Sequence, residues 1–417
     1  MKTTGKVASL IGILCLMTVS PGNSAAYYVS PNGNDDNTGT SPATAWRTIQ
    51  RSVGSAAPGD TIIIADGIYR EMVRFDGLAK GEQPVTYRAQ NPARAIIDAE
   101  GAMYCLGADW DTMRKLVLVG LKLQNGKMGL GFEPGGSGLV FSNCEISGCR
   151  EAIRVSTGAF LSILDCSAHD DANNIIIGRK DVSGVRGVLI ERCTMGPTPE
   201  GNRDGIVIEG MATDVVIRDC VASGAGDSGF DIKPSGALLE RCRSYGNRSW
   251  GFKLWGSGCK VINCVTYDNG AGAMGCAGDN LQFWNCTLGP GGSGGLRLET
   301  PNVASCVIRN TIFYGSVLHC YAPGLPDEDY NCYYSSDDEI IRTANRAYKM
   351  SDIGRAKGPG AHDLAANPLF RNPKTGDYQL TKGSPCLNAG RFDPLVAVDH
   401  HRKPRSDPPD LGAIASP

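Results

Sequence analysis

From residue 141 onward, short apolar runs end again and again in Asn, Asp or Arg followed by Cys. Phe141-Ser142-Asn143-Cys144 is the first, and Leu164-Asp165-Cys166, Ile190-Glu191-Arg192-Cys193 and Ile217-Arg218-Asp219-Cys220 follow. Leu239-Glu240-Arg241-Cys242, Ile262-Asn263-Cys264 and Phe283-Trp284-Asn285-Cys286 continue the series. Successive cysteines are 22, 27, 27, 22, 22 and 22 residues apart; Leu121 precedes them by 23, and Thr311 and Cys332 extend the series by 25 and 21. A fixed period of this size decides an architecture before any local motif does, because each repeat must be one supersecondary unit. The runs alternate apolar and polar residues, Gly, Asn and Asp mark the corners, and helix-length patterns are almost absent. The expected fold is therefore all-β: a single-domain right-handed parallel β-helix, each repeat one rung, with equivalent residues stacked about 4.8 Å apart.

The repeat accounts for two compositional oddities, 54 Gly and 16 Cys in 417 residues. Glycines serve corners, while Cys144, Cys166, Cys193, Cys220, Cys242, Cys264, Cys286 and Cys332 read as one inward ladder of small apolar side chains. No CxxC pair with a His partner points to a metal cluster. Cys105, Cys149, Cys259, Cys276, Cys306, Cys320 and Cys386 lie off the ladder, and the sequence assigns them no pairing. A balance of 41 basic against 43 acidic residues excludes a strongly cationic nucleic-acid binder and a polyacidic tail protein.

Residues 1–26 read as a signal peptide: Lys2 and Lys6 precede the apolar stretch Val7 to Val19, and Ser24-Ala25-Ala26 offers small residues for cleavage. No other run approaches the ~20 apolar residues of a membrane span. The reading is of a secreted protein, extracellular or periplasmic. Residues 27–100 form an N-terminal cap and the first rungs, with an amphipathic helix from Trp46 to Ala57 before a first strand at Thr61 to Ala65. The core runs over 101–336, and a Pro-, Asp- and Gly-rich tail, 337–417, caps the other end, since exposed strand edges invite association. The pairs Asp170-Asp171 and His400-His401 find no partners and read as surface features.

A second strand of each rung carries a Gly-apolar-X-apolar pattern, as in Gly229-Phe230-Asp231-Ile232 and Gly251-Phe252-Lys253-Leu254. Alternate residues share a face, so the X positions form an outward column: Arg154, Ile176, Val207, Asp231, Lys253, Gly275, Arg297. Asp204 and Asp227 immediately precede this column, so three carboxylates from two rungs converge beside one lysine. Clustered carboxylates repel unless a cation neutralises them, and hard oxygen donors without His or thiolate suit Ca²⁺. Asn173, in register with Asp204, adds a carbonyl donor. The alternative is a hydrated turn in which Asp231 and Lys253 form a surface ion pair.

Asp204-Gly205, Asp227-Ser228-Gly229-Phe230-Asp231 and Gly251-Phe252-Lys253-Leu254 resemble the calcium-site and catalytic segments of the polysaccharide lyase family 9 pectate lyases. Tyr27 to Gly33 and Pro58 to Thr61 are similar too, but recur in many exported β-helix proteins. The resemblance implies that Asp204, Asp227 and Asp231 bind calcium and that Lys253 is the catalytic base. Ser228 stands where the family pattern has a further Asp; its hydroxyl can ligate but brings no charge.

The implied chemistry is β-elimination on a uronic-acid polymer, an acidic plant-type polysaccharide with pectate first, by a monomer that engages neither nucleic acid nor membrane. Lys253 takes the C5 proton, and Arg297 steadies carboxylates or developing charge, or is simply a solvated surface arginine. An ordinary lysine, of pKa ~10.4, is neutral in only about one molecule in a few thousand at pH 7, so an alkaline optimum is expected. Trp250 and Trp255 flank the lysine strand and either stack on sugar rings or fill core space. The rivals are a lyase for rhamnogalacturonan or another uronate polymer, a β-helix glycoside hydrolase using a positioned pair of acids, and a non-catalytic carbohydrate-binding β-helix.

Overall fold

The computed structural model describes residues 24–416 except 110–112, 134–135, 172, 180–183, 199–200, 293, 337 and 354–357; the leader expected over 1–26 lies almost wholly outside them. The chain winds into a right-handed parallel β-solenoid of about 12 turns with almost no helix. Three long sheets of 14, 13 and 13 strands form its faces, the strands pairing in parallel from turn to turn except for Ala347–Lys349, which closes the third sheet antiparallel. No helix among the described residues is long and apolar enough to cross a membrane.

The Asn-Cys motif is the corner between the first and second sheets. Asn143, Asp165, Arg192, Asp219, Arg241, Asn263, Asn285 and Asn310 all hold φ between 49° and 55°. This left-handed conformation is one that Asn and Asp tolerate best among residues with a side chain. The turn aims the next side chain inward, and Cys144 through Cys286 are at most 2% exposed, stacked in the main core. Their thiols are free and donate to carbonyls, as from Cys220 Sγ to Ile190 O at 3.6 Å.

Cys332 is not on this ladder. It pairs in register with Ile312, while Tyr330, with φ 59°, takes the corner and Asn331, whose Oδ1 accepts the Thr311 N–H, takes the ladder position. One residue of slip reverses the face of a strand residue. Cys332 accordingly points outward and is buried with Cys386, Leu380 and Leu411 under the tail.

The ends differ from expectation in detail. The first strand is Ala26–Val29, which pairs with Thr61–Ile64, so the strand read as first is second. The intervening helix is one short turn, Ile49–Val53, capped by Thr48 and burying Ile49 and Val53. At the other end Glu339–Arg342 still extends the third sheet. The tail then folds back along the corner between the first two sheets. There Asn263 Nδ2 donates to Val398 O at 2.7 Å, Asn285 Nδ2 to Asp410 O at 3.3 Å and Asn310 Nδ2 to Arg391 O at 2.8 Å. His400 is held in this strap against Asn263 O, and burial pushes its pKa down to about 4.

Asp171 is not a surface residue either. It is 0% exposed, Oδ1 accepts the Cys149 N–H at 2.6 Å, and Oδ2 has no partner. Burial pushes its pKa up to about 7, against about 3.9 in an unfolded chain. The native state therefore holds this proton more tightly. The stability is complete below about pH 4 and is lost as pH rises towards 7, by up to ~1.4 kcal/mol per pH unit. Asp171→Asn is expected to match the parent in urea unfolding near pH 4 and exceed it at pH 8; a difference independent of pH would refute this.

Candidate active site

The site lies on the outer face of the third sheet, and its geometry begins inside the coil. Phe230 and Phe252 are fully buried and stack at 4.7 Å with planes 8° apart. Because side chains alternate, this inward stack aims Asp231 and Lys253 outward on adjacent strands, where they pair in register. The rest of the expected column is present: Arg154 to Ile176, Ile176 to Val207, Val207 to Asp231, then Lys253 to Gly275 and Gly275 to Arg297.

The glycines before each apolar residue have a specific cause. A Cβ on Gly229 would lie 2.1 Å from Ser244 Oγ, and one on Gly251 2.1 Å from Thr266 Oγ1. Those hydroxyls belong to a buried polar stack in which Asn247 Nδ2 donates to Asn269 Oδ1 at 2.8 Å and Asn269 Nδ2 to Thr266 Oγ1 at 2.8 Å. The strand bearing Lys253 thus rests directly on a satisfied hydrogen-bond ladder.

Outside, Glu151, Arg154, Asn173, Ile176, Asn202, Asp204, Val207, Glu209, Asp227, Asp231, Lys233 and Lys253 line a groove of about 420 Å³. Lys253 Nζ lies 2.6 Å from Asp227 Oδ2 and 3.9 Å from Asp204 Oδ1. The lysine therefore joins the carboxylates of both rungs, but its partner is Asp227 rather than its strand neighbour Asp231. Asp231 instead accepts from Lys233 Nζ at 3.1 Å and from the Trp255 indole N–H at 2.7 Å. Burial, with Asp231 and Asp227 close by, pushes the Asp204 carboxyl up to about 6, against the pull of Lys253.

Ser228 is placed differently from expectation. It is fully buried, and its hydroxyl takes the Trp250 N–H at 3.2 Å while donating to Asp227 Oδ1 at 3.2 Å. It orients Asp227 and does not line the groove. Asn173 does line it. Both tryptophans point outward: Trp255 is 50% exposed, and Trp250 lies half-buried along the face. Arg297 stands two rungs from Lys253, its guanidinium 4.9 Å from the Trp250 ring, outside the groove.

Sequence reasoning missed Lys233 and Glu209, which bind each other at 2.6 Å in the groove wall. Both occupy the next outward position after the X column, so the same alternation carries their signal. A larger cleft of about 700 Å³ around Asp279, Asn302 and Ala322 has one charged lining residue, Asp279, already bonded by Thr300 and Asn302. The charged side chains cluster in the smaller groove.

Its lining carries five carboxylates, Glu151, Asp204, Glu209, Asp227 and Asp231, against three cations, Arg154, Lys233 and Lys253. The two unbalanced negative charges and the all-oxygen donors fit a hard divalent ion in charge and type. Among the described residues no group of three or more His, Cys, Asp or Glu side chains is arranged to hold a metal ion; the ammonium groups of Lys253 and Lys233 take up the carboxylate oxygens instead.

Residues 27–281 match the model of the Pel9A-like right-handed β-helix region. The chain belongs to that family. The pectate lyase Pel9A is similar in structure, with a TM-score of 0.52 at 15% identity, over 95% of this chain and 97% of that one. XylC, solved with xylose, aligns with a TM-score of 0.61 at 10% identity, over 94% and 98%. A mannuronic-acid-specific family 6 polysaccharide lyase from human gut microbiota gives 0.55 at 16% identity, over 76% and 82%. At these identities the likeness establishes the fold. An uncharacterized protein of Bacillus subtilis, YwoF, is 34% identical over 73 residues, 18% of this chain and 15% of its own length.

Proposed function

We propose that this chain is a secreted, calcium-dependent, monomeric polysaccharide lyase that cleaves a uronic-acid polymer, polygalacturonate first, by β-elimination. The observation that carries the reading is Lys253 Nζ, held 2.6 Å from Asp227 and 3.9 Å from Asp204 on the floor of an acidic groove. An acidic polymer is repelled by such a groove unless its surplus negative charge is balanced. Asp204, Asp227 and Asp231, with Asn173, are the residues that would hold the ion. Ca²⁺ held there would neutralise the substrate carboxylate and the charge that builds beside it as the C5 proton leaves.

Lys253 is the base, taking the C5 proton as the bond from C4 to the glycosidic oxygen breaks. Ser228 and Lys233 act as positioning residues by holding Asp227 and Asp231 respectively.

The test is to incubate the full chain with polygalacturonate, rhamnogalacturonan and alginate, with calcium or with a chelator, and follow ultraviolet absorbance of unsaturated uronides. Absorbance growing on polygalacturonate with calcium and falling at least a hundredfold with chelator is the expected result. Saturated reducing ends would indicate hydrolysis, and no product from any polymer would indicate a binding protein.

A further inference from the structure

The outward column does not stop at Arg297. Arg297 pairs in register with His319, and His319 with Arg342, so a second stretch of outward groups follows Lys253 on the side away from the acidic groove. The indole of Trp250 lies flat along this stretch because Gly275 and Gly294 sit beneath it: an added Cβ would come 3.1 Å and 2.7 Å from the ring. The Arg297 guanidinium carbon lies 4.9 Å from the Trp250 centroid and 5.8 Å from that of Tyr321. Tyr321, in the bend just after the strand Leu318–Cys320, is 58% exposed.

Aromatic rings against a guanidinium hold its faces and leave its in-plane N–H groups directed outward, the geometry in which arginine grips a carboxylate. Arg297 has spare donors. Its terminal nitrogens have one ion pair among the described residues, Nη1 to Glu299 Oε1 at 3.8 Å, beyond hydrogen-bond distance, while Nε is buried and unpartnered. Arg342 is already engaged, making two hydrogen bonds to Glu339. Burial, Arg342 and Arg297 push the His319 pKa down, leaving a neutral imidazole suited to sugar hydroxyls.

We propose that Trp250, Arg297, His319 and Tyr321 form a saccharide subsite for a uronate unit of the bound polymer, its ring on Tyr321 and its carboxylate on Arg297. Two rung spacings, about 9.6 Å, separate Arg297 from Lys253, close to the span of two linked pyranose rings. The occupied unit is therefore not the one that loses its proton, and Arg297 is a binding rather than a catalytic residue. The proposal rests on the uronate reading above and assigns a direction to it: the polymer runs along the coil axis, across the carboxylate groove and onto this stack.

The experiment is calorimetric binding of saturated trigalacturonate, with xylotriose as the neutral control, to the full chain carrying Lys253→Arg so that turnover does not interfere. Adding Arg297→Ala or Tyr321→Ala is expected to weaken trigalacturonate binding at least tenfold, with Arg297→Lys between the two extremes and xylotriose weak throughout. Circular dichroism of each variant establishes that it is folded. Equal trigalacturonate affinity with and without these substitutions, absence of trigalacturonate binding to the parent, or xylotriose bound as tightly as trigalacturonate would each overturn the subsite. Arg297-dependent binding without elimination on any polymer would defeat the lyase reading alone; normal elimination with Arg297-independent binding would defeat the subsite alone.

Discussion

Lys253→Ala is expected to lower kcat/KM on polygalacturonate by about a hundred- to ten-thousandfold, the range over which a positioned general base contributes. The argument is geometric: Lys253 reaches carboxylates of two rungs in the groove, 2.6 Å from Asp227 and 3.9 Å from Asp204. Alanine also leaves those carboxylates without their ammonium, so loss of activity by itself does not separate proton transfer from charge balance. Lys253→Arg does. It keeps a cation beside Asp227 but cannot yield a neutral base in the accessible pH range. If lysine is the base, arginine is as inactive as alanine at every pH; arginine retaining a tenth or more of the parent rate would sink the assignment. Lys233→Ala provides the contrast. Its ammonium holds Asp231 and Glu209, so its removal should raise the calcium concentration required and KM while leaving kcat within about tenfold at saturating calcium.

The second large effect is on stability. Phe252→Ala should cost about 3–5 kcal/mol, read from the urea midpoint at unchanged slope. Phe252 is fully buried, stacks on Phe230 at 4.7 Å, and has strands of the same sheet on both sides. Each rung of a solenoid contacts only its neighbours, so the surrounding coil has little freedom to close the cavity. The same substitution loosens the residue next to Lys253, so activity should fall more steeply than the folded fraction does. A cost below about 1 kcal/mol would mean that the inward stack does not hold the groove in place.

Much of this was legible because strand periodicity and repeat period are independent signals that here agree. The period placed Asp231 beside Lys253 and Arg297 two rungs on, and the register of the strands bears this out. What escaped was decided by side-chain direction and by irregular rungs. The alternative reading paired Lys253 with Asp231 from strand register, whereas Asp227 reaches Lys253 from the preceding loop, oriented by Ser228. Ala26–Val29 was hidden as a strand because a long excursion with a helical turn separates it from its partner. Cys332 was placed on the ladder because a cysteine happened to lie one residue beyond the true position, held by Asn331. Asp171 was read as exposed because nothing local records that a turn is roofed by its neighbours.

The corner residues carry information of a different kind. At 165, 192, 219 and 241 they are Asp or Arg and form ion pairs, as between Arg192 and Asp165 or Arg241 and Asp219. At 263, 285 and 310 they are asparagines, at most 1% exposed, bonded to the returning tail. Both kinds satisfy the same left-handed backbone, so conformation does not choose between them; the partner does. A charge sealed beneath another segment is costly, whereas an amide can offer its N–H to a passing carbonyl. At 263, 285 and 310 the amide in the corner thus records in the primary structure the landing place of a segment 81 to 135 residues further along the chain.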